Sequence, residues 1–345
     1  MMYLIIRHFG YLLIILTLFS CKKSKDEESK KVDIQNSNGV FIINEGNYGW
    51  GNGSVSYYNI QNEEVTDNIY KDVNGYPLGD VCQSITYYNN KYYIVVNNSN
   101  KIEIVNSQDF KNIGTIHNLK SPRYFLPVNN NKAYISDLYD NKIAVVNLSD
   151  NQVEKYINCI GSTEEMLLFQ NNVFVTNTRT KYIYIINTIS DCITDSIMVG
   201  ASPFSILIDK NKKIWILCSG NTSTNGSLYK LNSLTYQVEK HFDFTNPLNI
   251  WNRLKINSTK DTLYFINNGV FQLPVNSENL PQSPIIPENS FNFYGLGIEP
   301  DNGNIFVSDA IDYVQKGKIY IYNQTNGNLL KSFNASIIPG DFIFN

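Results

Sequence analysis

From residue 39 onward the chain alternates short apolar runs with polar breaks, and one phrase keeps returning, an alternating strand that ends in Asn. Its copies are Val55-Ser-Tyr-Tyr-Asn59, Ile102-Glu-Ile-Val-Asn106, Ile143-Ala-Val-Val-Asn147, Ile183-Tyr-Ile-Ile-Asn187, Leu228-Tyr-Lys-Leu-Asn232, the irregular Leu273-Pro-Val-Asn276 and Ile319-Tyr-Ile-Tyr-Asn323. Successive terminal Asn residues lie 47, 41, 40, 45, 44 and 47 residues apart. A period near 40–47 residues that carries four strand-length runs marks propeller blades, small sheets that bury their faces only against their neighbours. Residues 122–159 display one complete blade: Arg123–Val128 as the inner strand, Ala133–Ser136 as the second, Lys142–Val146 as the third and Val153–Ile157 as the outer one. The breaks between them, Asn129-Asn-Asn-Lys132 and Ser149-Asp-Asn-Gln152, are turn-rich. Seven copies predict an all-β fold, a seven-bladed β-propeller of four-stranded blades spanning 39–345 as one domain.

The two ends of that span fit a closed ring. Val40-Phe-Ile-Ile43 reads as a second strand, because no inner strand precedes it. Ile338-Pro-Gly-Asp-Phe-Ile-Phe-Asn345 matches the runs that open other blades, such as Ser121-Pro-Arg-Tyr-Phe125 and Ser202-Pro-Phe-Ser-Ile206. The C-terminal run is therefore expected to supply the innermost strand of the first blade, which removes the free sheet edges of an open array.

Because strand direction alternates, loops after second strands and loops leading into inner strands share one face. The long loops 44–53, 219–226, 246–253 and 308–317 are all expected there, with terse turns such as 209–213 and 301–304 opposite. Long loops on a compact scaffold are commonly kept for function. This rim offers the rings of Tyr48, Trp50, Tyr139, Trp251, Tyr294 and Tyr313, the polar groups of Asp80, Gln83, Asn98, Glu164 and Asp312, and the guanidiniums of Arg123 and Arg253. Flat rings interspersed with hydrogen-bonding groups suit a large ligand of mixed polarity. Taken singly, each aromatic is as readily a blade-packing residue, and only their clustering points to binding.

Composition narrows the function. With 28 basic and 31 acidic residues the net charge is −3, so the basic footprint that nucleic-acid binding requires is missing. The 24 Tyr and 18 Phe suit strands. Of three His, His8 lies in the leading segment, and His117 and His241 fall on or near outer strands. No nucleophile elbow, phosphate loop or metal-ligand spacing accompanies the rim carboxylates, so no catalytic residue, metal or catalytic cofactor is expected. Cys82, Cys159, Cys192 and Cys218 fall in different blades and read as small packed residues, although an exported protein could form a disulfide. Two alternatives stay open: a lactonase- or lyase-type enzyme using a rim carboxylate such as Asp312, and a propeller that binds another nutrient or a protein partner.

Residues 1–20 carry Arg7 and His8 and then the apolar run Leu12–Phe19. That run is shorter than the roughly 20 residues that cross a bilayer and reads as a signal h-region. Leu18-Phe19-Ser20-Cys21 resembles the bacterial lipobox, so Cys21 is the expected lipidation site; an ordinary secretory signal is the alternative. Residues 21–38 read as a tether, since the stretch from Lys22 to Lys31 is almost wholly charged and has nothing apolar to bury. Its acidic cluster resembles a surface-export signal of Gram-negative lipoproteins and is equally well a solvated spacer. Lipid on Cys21 would hold the protein at the outer membrane without a transmembrane helix.

Asn44-Glu-Gly-Asn-Tyr-Gly49, Pro77-Leu-Gly-Asp-Val-Cys-Gln-Ser84, Val95-Val-Asn-Asn-Ser-Asn100, Ser121-Pro-Arg-Tyr124, Asp261–Asn268, Tyr294-Gly-Leu296 and Asp309-Ala-Ile-Asp-Tyr313 together resemble the BtuG-like surface lipoproteins that capture cobalamin, a YncE-like, DUF5074-like group of propellers. The resemblance runs in order from about residue 39 to the end. It implies a seven-bladed propeller that binds cobalamin or a related corrinoid as ligand and hands it to a TonB-dependent outer-membrane transporter. Asp137-Leu-Tyr-Asp140, Thr176-Asn-Thr-Arg-Thr180 and the short loop near Asn221 depart from that group's aromatic-rich loops. These are rim positions, so the fold carries over more directly than the ligand.

Overall fold

The computed structural model describes residue 34, residues 38–248 and residues 253–345. The signal and lipidation readings, including Cys21, lie outside the described residues, as do Trp251 and the tether apart from Ile34 and Asn38.

The described chain forms seven sheets of four strands, and every strand pairing is antiparallel. Blades 2 to 7 open with Cys82–Tyr88, Pro122–Asn129, Thr163–Phe169, Pro203–Ile208, Lys255–Ile256 and Phe293–Ile298, and each continues in sequence order. Opening strands of successive blades touch one another at every junction but that of blades 5 and 6, where Ser205 Oγ accepts from Leu254 N–H (3.0 Å); this arranges them around a common axis. Blade 1 departs from sequence order as the chain ends implied: Pro339–Phe344 pairs with Gly39–Asn44, Val40 opposite Phe344 and Ile43 opposite Asp341. The ring is closed by its own C-terminal strand. The blade read at 122–159 consists of Pro122–Asn129, Lys132–Asp137, Lys142–Asn147 and Gln152–Asn158, within two residues of expectation at each end.

The terminal Asn of the repeated phrase has a local job. In blade 1 the Asn59 side-chain oxygen accepts the N–H groups of Gln61 (2.9 Å) and Asn62 (3.2 Å), and its carbonyl accepts the N–H of Glu63 (2.9 Å), which sits at φ 62°. Asn187, Asn232 and Asn323 repeat this arrangement, ending on Asp191, Tyr236 and Gly327, all with positive φ. Asn is favoured because its short amide copies a backbone acceptor at the start of a tight turn. Between blades, apolar faces interlock through aromatic stacks such as Tyr93 on Phe125 (4.0 Å) and Tyr58 on Phe333 (4.3 Å).

Three features differ from the sequence reading. A short helix, Ile69–Asn74, lies in the connection from blade 1 to blade 2, with Ile69 and Tyr70 buried. Blade 6 is thin, with two-residue first and last strands, and its long connection 275–285 lies opposite the rim, so long loops are not confined to one face. Ile34, inside the stretch read as tether, is buried in the core cluster that also holds Phe41, Tyr57 and Tyr70, and its carbonyl accepts from the Asn345 side chain at 2.8 Å. Packing therefore begins ahead of residue 39.

Candidate functional site

A bulge repeats at the rim end of the opening strands. Register shifts fall between Ile43 and Asn44 opposite the closing strand, and between Cys82/Ser84, Pro122/Phe125, Thr163/Met166, Pro203/Ser205 and Phe293/Leu296. A bulge re-aims side chains out of the pleat, and here the bulged positions hold Gln83, Arg123, Tyr124, Glu164, Glu165 and Tyr294. In three blades a second-strand hydroxyl satisfies the displaced backbone. Ser136 accepts from Tyr124 N–H (3.1 Å), Ser308 accepts from Gly295 N–H (2.6 Å), and Thr176 donates to the Glu165 carbonyl (3.0 Å). The next residue, Asp137, Asn177 or Asp309, then fixes the rim by accepting backbone N–H groups from both neighbouring loops.

These bulges build a buried polar floor. Arg123 donates through Nε to both oxygens of Glu164 (3.1 and 2.9 Å) and through Nη1 to Gln83. Arg253, the residue before the first strand of blade 6 by two positions, pairs with Asp341 of the closing strand, which Lys255 also reaches at 2.6 Å. The Tyr294 hydroxyl donates to Glu45 (3.1 Å), and Glu165 accepts from Ser205 Oγ (2.7 Å) and Ile206 N–H (2.9 Å). Gln83 Nε2 is buried with no partner.

Burial pushes the pKa of Glu45 up against the pull of Arg253 and Arg123, and that of Glu165 up against the pull of Arg253 and Lys255. Burial would raise Asp341 as well, but Arg253 and Lys255 outweigh it and hold that carboxyl below its ordinary value. Both guanidiniums lose hydration on burial, yet the surrounding carboxylates hold Arg123 and Arg253 above theirs. In a low-dielectric setting such groups are stable only as a mutually paired set.

Above the floor stands the rim. Tyr48 and Trp50 are 77% and 76% exposed, yet their loop is tightly held. Gly46, Gly49 and Gly51 have φ 75°, 83° and 64°, which lets the loop fold back on itself. Asp80 Oδ2 accepts Gly49 N–H (2.9 Å) and the Asn98 amide (2.5 Å), while Asn47 Nδ2 donates to the Tyr313 carbonyl (2.7 Å). Tyr313 meets the Tyr294 ring edge-on at 5.6 Å, linking rim to floor. Tyr139, 54% exposed, lies under the Arg179 guanidinium, 6.0 Å from its ring.

The sequence-selected residues thus separate into layers. Tyr48, Trp50, Tyr139 and Tyr313 are on the exposed rim, and Asp80 and Asn98 hold its loop. Gln83, Arg123, Glu164, Arg253 and Tyr294 are buried in the floor rather than displayed. Asp312 is exposed and its carboxylate accepts Gln315 and Val314 N–H groups of its own turn, which hold it down at about 2. Glu45, Glu165, Asp341 and Lys255 were not selected. For Glu165 a signal existed in the Thr176-Asn177 pair that ends the second strand and faces its bulge, a pair repeated at Ser136-Asp137 and Ser308-Asp309; Glu45, Asp341 and Lys255 had no such mark.

His117 is exposed and His241 stacks on Tyr229 at 5.4 Å in an outer strand. Cys82, Cys159 and Cys218 are buried and Cys192 is exposed, all as free thiols; burial pushes Cys159 and Cys218 up to about 12. Among the described residues no group of His, Cys, Asp and Glu could hold a metal ion, and no helix is long and apolar enough to cross a membrane.

Residues 38–345 match the family described as a domain of unknown function, DUF5074. No curated protein matches the sequence. Among solved structures the chain is similar to a quinonprotein alcohol dehydrogenase-like protein from Bacteroides thetaiotaomicron, at 13% identity and TM-score 0.72, covering 90% of this chain and 79% of that one. A functionally unknown protein from Desulfotomaculum acetoxidans aligns at 10% identity and TM-score 0.66, over 89% and 98% of the two chains. Kuenenia stuttgartiensis hydrazine synthase aligns at 12% identity and TM-score 0.60, over 77% and 92%. At such identities the likeness is one of fold alone, and the enzymes among these structures transfer no chemistry.

Proposed function

The chain belongs to the DUF5074 family, and from that premise we propose that it is a non-enzymatic capture protein for cobalamin or a related corrinoid, held at the outer membrane by lipid on Cys21 and passing its ligand to a TonB-dependent transporter. The observation that carries the reading is the pair of almost fully exposed rings, Tyr48 and Trp50, held in a latched loop above a polar floor. Exposed aromatic surface is costly in water, and a rigid loop that keeps it exposed stores binding area at little entropic cost on association. The floor is charged but internally paired, which suits holding amide-bearing edges more than transforming them. The BtuG-like phrases supply the choice of corrinoid.

Calorimetry of the signal-free protein with cyanocobalamin tests the reading. Saturable binding is expected, with Trp50→Ala or Tyr313→Ala weakening it about tenfold or more, the scale of losing an aromatic anchor. No heat up to high micromolar ligand overturns the corrinoid assignment. A protein carrying its ligand through purification would also be red.

A further inference from the structure

The rim is chemically lopsided. Blades 7 and 1 expose Tyr48, Trp50, Ile311, Tyr313 and Val314, whereas the loops around blades 3 and 4, on the other side of the ring, carry Lys120, Lys142, Arg179 and Lys181. The charges facing the second group are few. Asp137 is buried with its oxygens on the N–H groups of Ser121, Tyr139 and Asp140, and Asp140 stands 4.0 Å from Lys120, which also donates to the Tyr139 carbonyl (3.2 Å). Lys142 lies over Tyr156 at 5.2 Å.

Arg179 differs from the other two described arginines. Arg123 and Arg253 are committed to buried carboxylates, while Arg179 is exposed and its guanidinium has no acidic partner among the described residues. Its backbone N–H is fixed on Asn177 Oδ1 (3.2 Å) and its guanidinium carbon lies over the Tyr139 ring, 6.0 Å from the centroid. A guanidinium that lies over a ring and has no carboxylate partner keeps N–H groups available for a planar two-point contact with an oxyanion.

We propose that Arg179, over Tyr139 and two residues before Lys181 in the same exposed stretch, forms a subsite for a phosphate-class oxyanion carried by the captured ligand. The proposal rests on the capture reading for the rest of the ligand, and one pair of probes separates the two: cyanocobalamin, which carries a phosphodiester, and dicyanocobinamide, which lacks it. Arg179→Gln should weaken cyanocobalamin about tenfold, the scale of a charge-assisted hydrogen bond, and leave dicyanocobinamide unchanged, with an unaltered melting temperature. Equal losses for both probes, or none for cyanocobalamin, overturn the subsite and leave capture standing. Phenyl phosphate gives an arm that does not depend on corrinoid binding. Its titration should move the Arg179 Nε–Hε NMR resonance saturably, and Tyr139→Ala should abolish that response; no movement up to about 50 mM, well past millimolar affinity, overturns the subsite even where neither corrinoid binds.

Discussion

Half-buried Glu165 and buried Asp341 both feel the charge of Arg253, yet their surroundings pull them in opposite directions. Burial dominates at Glu165 and raises its folded value above the unfolded one, so its ionised form costs stability at neutral pH, a cost relieved as pH falls through the folded value. Asp341 is lowered by Arg253 and Lys255, so its contribution is present above its unfolded value and is lost as pH falls through the folded one. Glu165→Gln, which keeps an acceptor for Ser205 and Ile206, is expected to be neutral or stabilising at pH 7.5, with the gain vanishing in acid. Asp341→Asn leaves Arg253 without its charge partner and is expected to cost about 3 kcal/mol at pH 7.5, the range for breaking a buried pair, with the difference shrinking towards pH 4. Urea melts of both variants at the two pH values measure this; parallel pH trends would refute the opposed assignments.

At the scale of strands and turns, the repeated Asn provides an internal control. Asn187 caps its turn by accepting from Ile189 (3.0 Å) and Ser190 (3.1 Å), whereas Asn276 in blade 6 is exposed and makes no such bond among the described residues. Asn187→Ala should lose about 1 kcal/mol, as expected for a turn hydrogen bond, and Asn276→Ala close to nothing, both read from denaturant midpoints. This regularity is why the blades were legible in the sequence: a turn that needs one residue type leaves a mark at a fixed period. The same holds for the C-terminal strand, whose Ile-Pro-Gly-Asp opening copies the blade starts.

The site was only half legible, because a bulge shifts facing by one residue and an alternation pattern cannot show it. Arg123 and Tyr294 were therefore placed on the rim with Tyr48, although bulges turn them into the floor. Arg179 escaped selection because what sets it apart is its approach to Tyr139 of the preceding blade, which sequence alone does not show. In blade 6 the irregular phrase Leu273-Pro-Val-Asn276 closes a full-length third strand, and the two-residue first and last strands left no mark in it.

Across the whole molecule, ring closure decides how stability is shared. In an open solenoid each repeat meets only its neighbours, and damage stays near its origin. Here the closing strand belongs to the first blade by backbone pairing, and it is also tied by Asp341 to Arg253 and Lys255 at the start of blade 6. Its Phe342 is 3% exposed, lies edge-on to Phe306 of blade 7 at 5.9 Å, and fills the space above Gly297, where a Cβ would approach it to 2.8 Å. Phe342→Ala leaves a cavity at the seam and should cost about 3 kcal/mol, the low end for such truncations. If closure makes the seven blades one cooperative unit, slow amide hydrogen exchange should accelerate by a similar factor, on the order of a hundredfold, in blade 4, far from the seam, and in blades 7 and 1. Acceleration confined to blades 7 and 1 would mean that the sheets unfold locally and that the closing strand only seals an edge.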